Sequence, residues 1–217
     1  MASSPAGTVP SLRTYAYVDG ANLFNSAKRR FGYMVPNCDI AKLARAVTEM
    51  APGRTLVEVF YYIGVPKIEH DERNHNWWQR KLSASGRTGV NVVRRDLKQR
   101  ELRITLSGVV HHDNTSRKLI EKGIDLRLGL DLVRHTRLNL FDLAIIFSQD
   151  GDLAEAVDDA YEIAREQRRR IAIECAFPVA TGHAQQYGIR RTTNREFDKV
   201  FYDACIDPTD YSGRALI

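Results

Sequence analysis

The sequence predicts a single α/β domain with a mainly parallel central sheet flanked by helices, and three observations carry that reading. Residues 143–147, Leu-Ala-Ile-Ile-Phe, form an unbroken apolar run, the pattern of a strand buried on both faces. The run breaks into a turn carrying Asp150, Gly151 and Asp152, and then into helically spaced apolar residues (Leu153, Ala156, Val157, Ala160, Ile163, Ala164). A second strand end repeats this arrangement: Tyr15-Ala-Tyr-Val-Asp19 leads through Gly20 and Asn22 into a helix. Strands alternating with helices favour a parallel sheet with right-handed crossovers.

The remaining elements follow in order. The first helix spans about 22–31 and ends near Gly32; the second runs from Asp39 to Met50 (Ile40, Leu43, Ala44, Val47 on one face) and is closed by Pro52-Gly53. Leu56 to Ile63 is β-branched and aromatic, hence a second strand, and Pro66 to His75 reads as a polar connector. A helix begins at Trp77 and extends to Ser83, with a turn signal over Ser85-Gly86-Arg87-Thr88-Gly89. Val90 to Arg94 is a third strand, and Leu102 to Val110 pairs as a hairpin arm. A helix starts near Asp125 and ends around His135 to Arg137; Asp142 to Phe147 is the fourth core strand and Arg170 to Ala176 the fifth, ending at Pro178. Thr193 to Ala204 reads as a helix with Phe197, Val200, Phe201 and Ala204 on one face.

With 217 residues, 43% hydrophobic and 27% charged, the chain has room for one generous domain and a substantial core. The expected limits are a leader without ordered structure over 1–13, the domain over 14–205 and a C-terminal tail over 206–217. No apolar run approaches the ~20 residues that span a bilayer, and Met1–Pro10 lacks the basic start and apolar centre of a secretory signal. Cys38, Cys175 and Cys205 are few and widely spaced, and read as reduced thiols of a cytoplasmic protein rather than as zinc ligands. The net charge of +5 is modest, but residues 67–122 hold 13 Lys and Arg against 7 Asp and Glu. A basic surface beside an acidic centre suits an enzyme acting on a polyanion such as RNA or DNA.

Carboxylates stand at the ends of three separate elements, at Asp19, at Asp125 with Asp131, and at Asp150 with Asp152. Open α/β sheets bind ligands at the carboxyl ends of their strands, and clustered carboxylates suit Mg²⁺ or Mn²⁺, which prefer hard oxygen ligands. The bland alternative is helix capping, by Asp19, Asn22, Asp125 or Asp152. Asp131 lies about 240° around an ideal helix from Asp125, so the two do not share a face. Asp142 reads as a turn residue. Arg94, Arg95, Lys98, Arg100 and Arg103 form a strip that is either solvated charge or a contact for a nucleic-acid backbone; Lys122 and Arg127 flank the acidic centre with the same two readings. Trp77 and Trp78 are adjacent, one or both packing in the core and one available for base stacking. His111 and His112 point to opposite faces of a strand and rarely share an ion. Arg168-Arg169-Arg170 reads as a solvated helix end.

The pieces Val18-Asp19-Gly20-Ala21-Asn22-Leu23, Lys122-Gly123-Ile124-Asp125 with Asp131, and Ser148-Gln149-Asp150-Gly151-Asp152-Leu153 occur in an order that resembles the NYN-domain, LabA-like branch of the PIN-like metal-dependent ribonucleases, over roughly residues 14–205. Gln149 departs from the small residue usual there, and residues 99–116 do not align. The resemblance implies a three-layer α/β/α fold and hydrolysis of RNA phosphodiester bonds, leaving 5′-phosphate and 3′-hydroxyl ends. It implies that Asp19, Asp125, Asp150 and Asp152 hold one or two Mg²⁺ or Mn²⁺ ions that activate water and stabilise the departing 3′ oxygen. Asn22 orients a carboxylate or touches substrate, and Asp131 is either a ligand or a group that orients one. Lys122, Arg127, Arg94, Arg95 and Lys98 are the expected substrate contacts, with RNA as partner, DNA a further possibility and a homo-oligomer compatible. Two other classes stay open: an RNA- or protein-binding module with little or no turnover, and a metal-dependent phosphatase acting on small substrates.

Overall fold

The computed structural model describes residues 11–35, 37–106, 109–180 and 187–213, with side chains outside 101–118. Its elements are β1 (Leu12–Asp19), α1 (Gly20–Phe31), α2 (Ile40–Thr48), β2 (Arg54–Val65), α3 (Glu72–Arg87), β3 (Val90–Asp96), β4 (Lys98–Leu106), β5 (Val109–Ile120), α4 (Ile124–Arg137), β6 (Leu143–Phe147), a 3-10 turn at Gly151–Leu153, α5 (Ala154–Glu166), β7 (Ala172–Pro178), β8 (Thr193–Phe197) and α6 (Lys199–Asp203). Six strands form one sheet in the order β3-β2-β1-β6-β7-β8, every pairing parallel. β4 and β5 pair antiparallel as a separate hairpin.

Alternation along the strands divides the core between two layers. Ala16, Val18, Tyr61, Ile63, Ile145 and Phe147 pack with Leu23, Ala27, Leu43, Val47 and Leu82 from α1, α2 and α3. Tyr17, Tyr62, Ala144, Ile146 and Ile173 pack on the opposite face with Leu128 and Leu132 of α4 and Val157 and Ala160 of α5. The fully buried Tyr17 satisfies its hydroxyl at Nδ1 of His135, 2.9 Å away. The fold is therefore a single three-layer α/β/α domain around a parallel sheet.

Four local expectations change. β1 already contains Leu12 and Arg13, at the end of the expected leader, because the Arg13 guanidinium and backbone N–H both donate to Asp142. Asp142 is thus a latch between β1 and β6 as well as a turn residue. The third helix starts at Glu72 rather than Trp77, capped by Asp71 accepting from the Asn74 N–H at 3.0 Å, and it continues through Ser85 and Gly86 to Arg87. Thr193–Phe197 is a sixth parallel strand beside β7, and only Lys199–Asp203 is helical, after the cap at Asp198. Phe197 faces the core there whereas Val200 is 76% exposed, so the apolar spacing did not mark one helical face. Arg169 is no solvated charge: it donates to the carbonyls of Thr136 and Phe141 and closes the end of α4. His111, His112, Asp113 and Arg103 have side chains outside the described set.

The segment after α6 is tied down as far as Tyr211. Ile206 bridges to Cys38, and the buried Lys81 ammonium donates to the Cys38 carbonyl at 2.7 Å and to Asp207 at 2.8 Å. Burial pushes the Asp207 carboxyl up, but hydrogen bonds from Lys81, Thr209 and Tyr211 outweigh it and hold the group at about 2. Trp78 packs on the core, and Trp77 meets Trp78 and Tyr211 edge-on, so neither indole is a bare stacking platform.

Candidate active site

From β1 the chain moves outward through β2 to β3, then returns on the other side of β1 as β6 and continues to β7 and β8. The carboxyl ends of β1 and β6 are therefore the topological switch point, where open α/β sheets form a ligand crevice. Asp19 closes β1 at that point and is only 6% exposed. Its Oδ1 accepts from the Asn22 N–H and its Oδ2 from the Ser148 hydroxyl, both at 3.0 Å. Capping and a place in the crevice are one arrangement here, because the capped helix starts in the crevice. Gly20 permits that start: a Cβ there would stand 2.6 Å from Ile63 Cδ1 and 2.8 Å from the Tyr62 carbonyl oxygen.

The β6 end is wired to the β1 end. Ser148 Oγ, besides donating to Asp19, accepts from the Asp150 N–H at 3.1 Å, and Asn22 Oδ1 accepts from the Gln149 N–H at 3.2 Å. Gln149 therefore contributes its backbone to the link, and its side chain donates to the Tyr187 carbonyl at 3.2 Å. Asp150 Oδ1 accepts from the Asp152 N–H at 3.0 Å, which caps the 3-10 turn. Asp152 is exposed and shares the groove between α4 and α5 with Asp125.

These carboxylates feel one another. Burial raises the Asp19 carboxyl above its ordinary value, Asp150 and Asp125 raise it further, and the hydrogen bonds from Asn22 and Ser148 only partly offset this. A fourth acid, Glu121, joins them. It precedes α4, and burial with the charges of Asp19 and Asp125 pushes it up to about 7, against the hydrogen bond that Glu121 Oε2 accepts from the Gly64 N–H at 2.5 Å. Gly64 must be glycine for this, since a Cβ would run into Glu121 and Leu97. Sequence reasoning passed over Glu121; the available signal was an acidic residue flanking the Lys122-Gly123-Ile124-Asp125 piece.

Asp131 takes another place. It is 4% exposed, accepts from the Tyr62 hydroxyl at 3.0 Å and from Arg127 at 2.7 and 2.9 Å, and so ties α4 to β2. Arg127 is engaged by that pair. Arg94, Arg95, Lys98 and Arg100 are exposed, Arg94 with Asp96 at 3.7 Å, and Lys122 is exposed beside Glu121. Among the described residues no three His, Cys, Asp or Glu side chains are placed to grip one ion as they stand. The donor set is nevertheless all oxygen and concentrated at one end of the sheet, which fits a hard divalent cation and no softer metal.

No curated protein matches the chain. Among solved structures, a protein of unknown function, VPA0982 from Vibrio parahaemolyticus RIMD 2210633, aligns over 93% of this chain and 95% of its own at 15% identity, with a TM-score of 0.45, too distant a likeness to argue from. The NYN domain family model matches residues 13–192, a span that contains both ends of the switch point and the carboxylates gathered there. The chain thus belongs to the NYN domain family, PIN-like domains of nuclease type.

Proposed function

We propose that this NYN domain is a Mg²⁺- or Mn²⁺-dependent ribonuclease of the LabA-like branch, cutting phosphodiester bonds to leave 5′-phosphate and 3′-hydroxyl ends. The observation that supports this most is Asp19: a carboxylate at the switch point, its acidity weakened first by burial and further by Asp150 and Asp125, has a use if a cation offsets the burial and the repulsion. Asp19, Asp125, Asp150 and Asp152 would hold the ion, with Glu121 a further oxygen donor at the same edge. A divalent cation bound there supplies Lewis-acid activation of water and charge stabilisation at the phosphoryl group. The chain's own part is positional. Ser148 and Asn22 fix the Asp19 and Asp150 segments against each other, and Lys122 with the Arg95 and Lys98 edge attracts the phosphate backbone. The buried cysteines, none of them in a disulfide, suit a reducing cytoplasm.

A second reading draws on the absence of a closed three-ligand group among the described residues: a module that binds nucleic acid with little turnover. Labelled single-stranded RNA and DNA, and a small phosphomonoester, incubated with Mn²⁺ and then with EDTA, separate the possibilities. Metal-dependent RNA cleavage lost in Asp150→Asn is the expected result. Binding without cleavage at any metal concentration overturns the hydrolase in favour of the module, and turnover of the monoester alone favours the phosphatase.

A further inference from the structure

Beside the carboxylates, a groove of about 520 Å³ opens at the outer carboxyl edge of the sheet, large enough for a nucleotide unit rather than a lone ion. Four segments line it: Lys67 and His70 from the β2–α3 connection, Arg95 from β3, Lys98 from β4 and Lys122 from the link into α4. The carboxylate in the lining, Asp96, has Arg94 at 3.7 Å. Arg95, Lys98 and Lys122 make no ion pair among the described residues, and Lys67 and His70 share only the exposed Glu69, at 3.5 and 3.8 Å. Exposed pairs of that kind are weak, so an incoming anion displaces them readily. Lys122 adjoins Glu121 in the chain, and the Arg95 guanidinium lies 2.9 Å from where a Cβ on Gly123 would stand, so groove and acidic centre share one border.

We propose that this groove is a second phosphate subsite, distinct from the carboxylate centre, in which Lys67 and His70 together with Arg95, Lys98 and Lys122 hold a phosphate of the substrate strand. The inference rests on the phosphodiesterase reading for the identity of the anion. It explains why cations from four separate segments meet in a concavity when an ordinary solvated surface would disperse them. The phosphate is either an internal diester or a terminal 5′-monoester, which both present anionic non-bridging oxygens to the groove, the monoester with the greater charge.

The test is binding in EDTA, which keeps it independent of cleavage. Single-stranded RNA with a 3′ label and either a 5′-phosphate or a 5′-hydroxyl is titrated by fluorescence anisotropy across a salt series. Lys67→Ala weakens binding about threefold, the scale of one exposed charge pair, and flattens the salt slope by about 0.7. Lys67→Arg restores both. Arg165→Ala, at a side chain 79% exposed on α5, is the charge-matched control. A loss confined to 5′-phosphorylated RNA assigns the groove to a terminal monoester, and an equal loss on both RNAs to an internal diester. If Lys67→Ala and Arg165→Ala behave alike, the subsite is overturned. If Lys67-dependent binding persists but Mn²⁺ never elicits cleavage, the hydrolase falls and the phosphate groove stands.

Discussion

Asp19 and Asp131 are both buried aspartates within the three sequence pieces, yet their surroundings give them opposite dependence on charge. Asp131 pairs with the Arg127 guanidinium, which needs its negative charge, and also accepts from the Tyr62 hydroxyl, so Asp131→Asn should destabilise the protein by about 2 kcal/mol in urea unfolding. The partial exposure of Arg127 keeps the loss below that of a fully buried pair. Asp19→Asn keeps an acceptor for the Asn22 N–H and removes a charge that Asp150 and Asp125 oppose, so stability without metal should hold or rise while most RNA cleavage disappears. Wild-type cleavage by Asp19→Asn would remove Asp19 from the site. Glu121 gives a pH signature. The folded protein keeps its proton to about pH 7 and the unfolded chain releases it near 4.5, so the native state binds the extra proton between those values. Stability therefore falls as pH rises from 4.5 to 7, by about 1–2 kcal/mol for this group once solvent screening of its exposed part is allowed for. Glu121→Gln should flatten that slope, as read by urea unfolding at pH 5 and pH 7.5; an unchanged slope would mean that another group sets it.

Elements were legible in the sequence where local chemistry agreed with tertiary demand. The β1 and β6 ends were readable because unbroken apolar runs are a property of doubly covered parallel strands. β8 was not, because Thr-Asn-Arg-Glu-Phe has little intrinsic strand character and becomes a strand by pairing with β7. Glu121 was missed for a related reason: a single acid beside Lys122 is an ordinary surface residue until Gly64, 57 positions earlier, presents its N–H to it. The connection from α6 to Tyr211 was likewise invisible, since nothing local marks Asp207 as the partner of a buried lysine. Asp207→Ala should cost about 3 kcal/mol by leaving the Lys81 ammonium uncompensated, and Lys81→Met should recover much of it, a reversal measured by thermal unfolding of the two single variants and the double. The depressed Asp207 carboxyl adds a second readout: its contribution is complete above about pH 4 and is lost as pH falls toward 2.

On the scale of the whole molecule, charge is sorted along one edge of the sheet, with acids at the switch point and cations toward β3 and the hairpin. Mn²⁺ at 100 times its dissociation constant should stabilise the folded protein by about 2.7 kcal/mol, and Asp150→Asn should abolish most of that shift. A shift that survives in Asp150→Asn would place the ion elsewhere. The same architecture fixes when the site can exist. Asp19 and its partner Ser148 are 129 residues apart in the chain, and the hydrogen bond between them closes only after β6 has docked beside β1. During synthesis the first half of the site therefore leaves the ribosome long before the second. Translation proceeds at about 5–20 residues per second, so for several seconds the nascent chain carries Asp19 with no Asp150 to face it. The proposed metal site therefore cannot assemble on the nascent chain until β6 has emerged and docked beside β1, which delays any cleavage by it to the last part of the domain's synthesis.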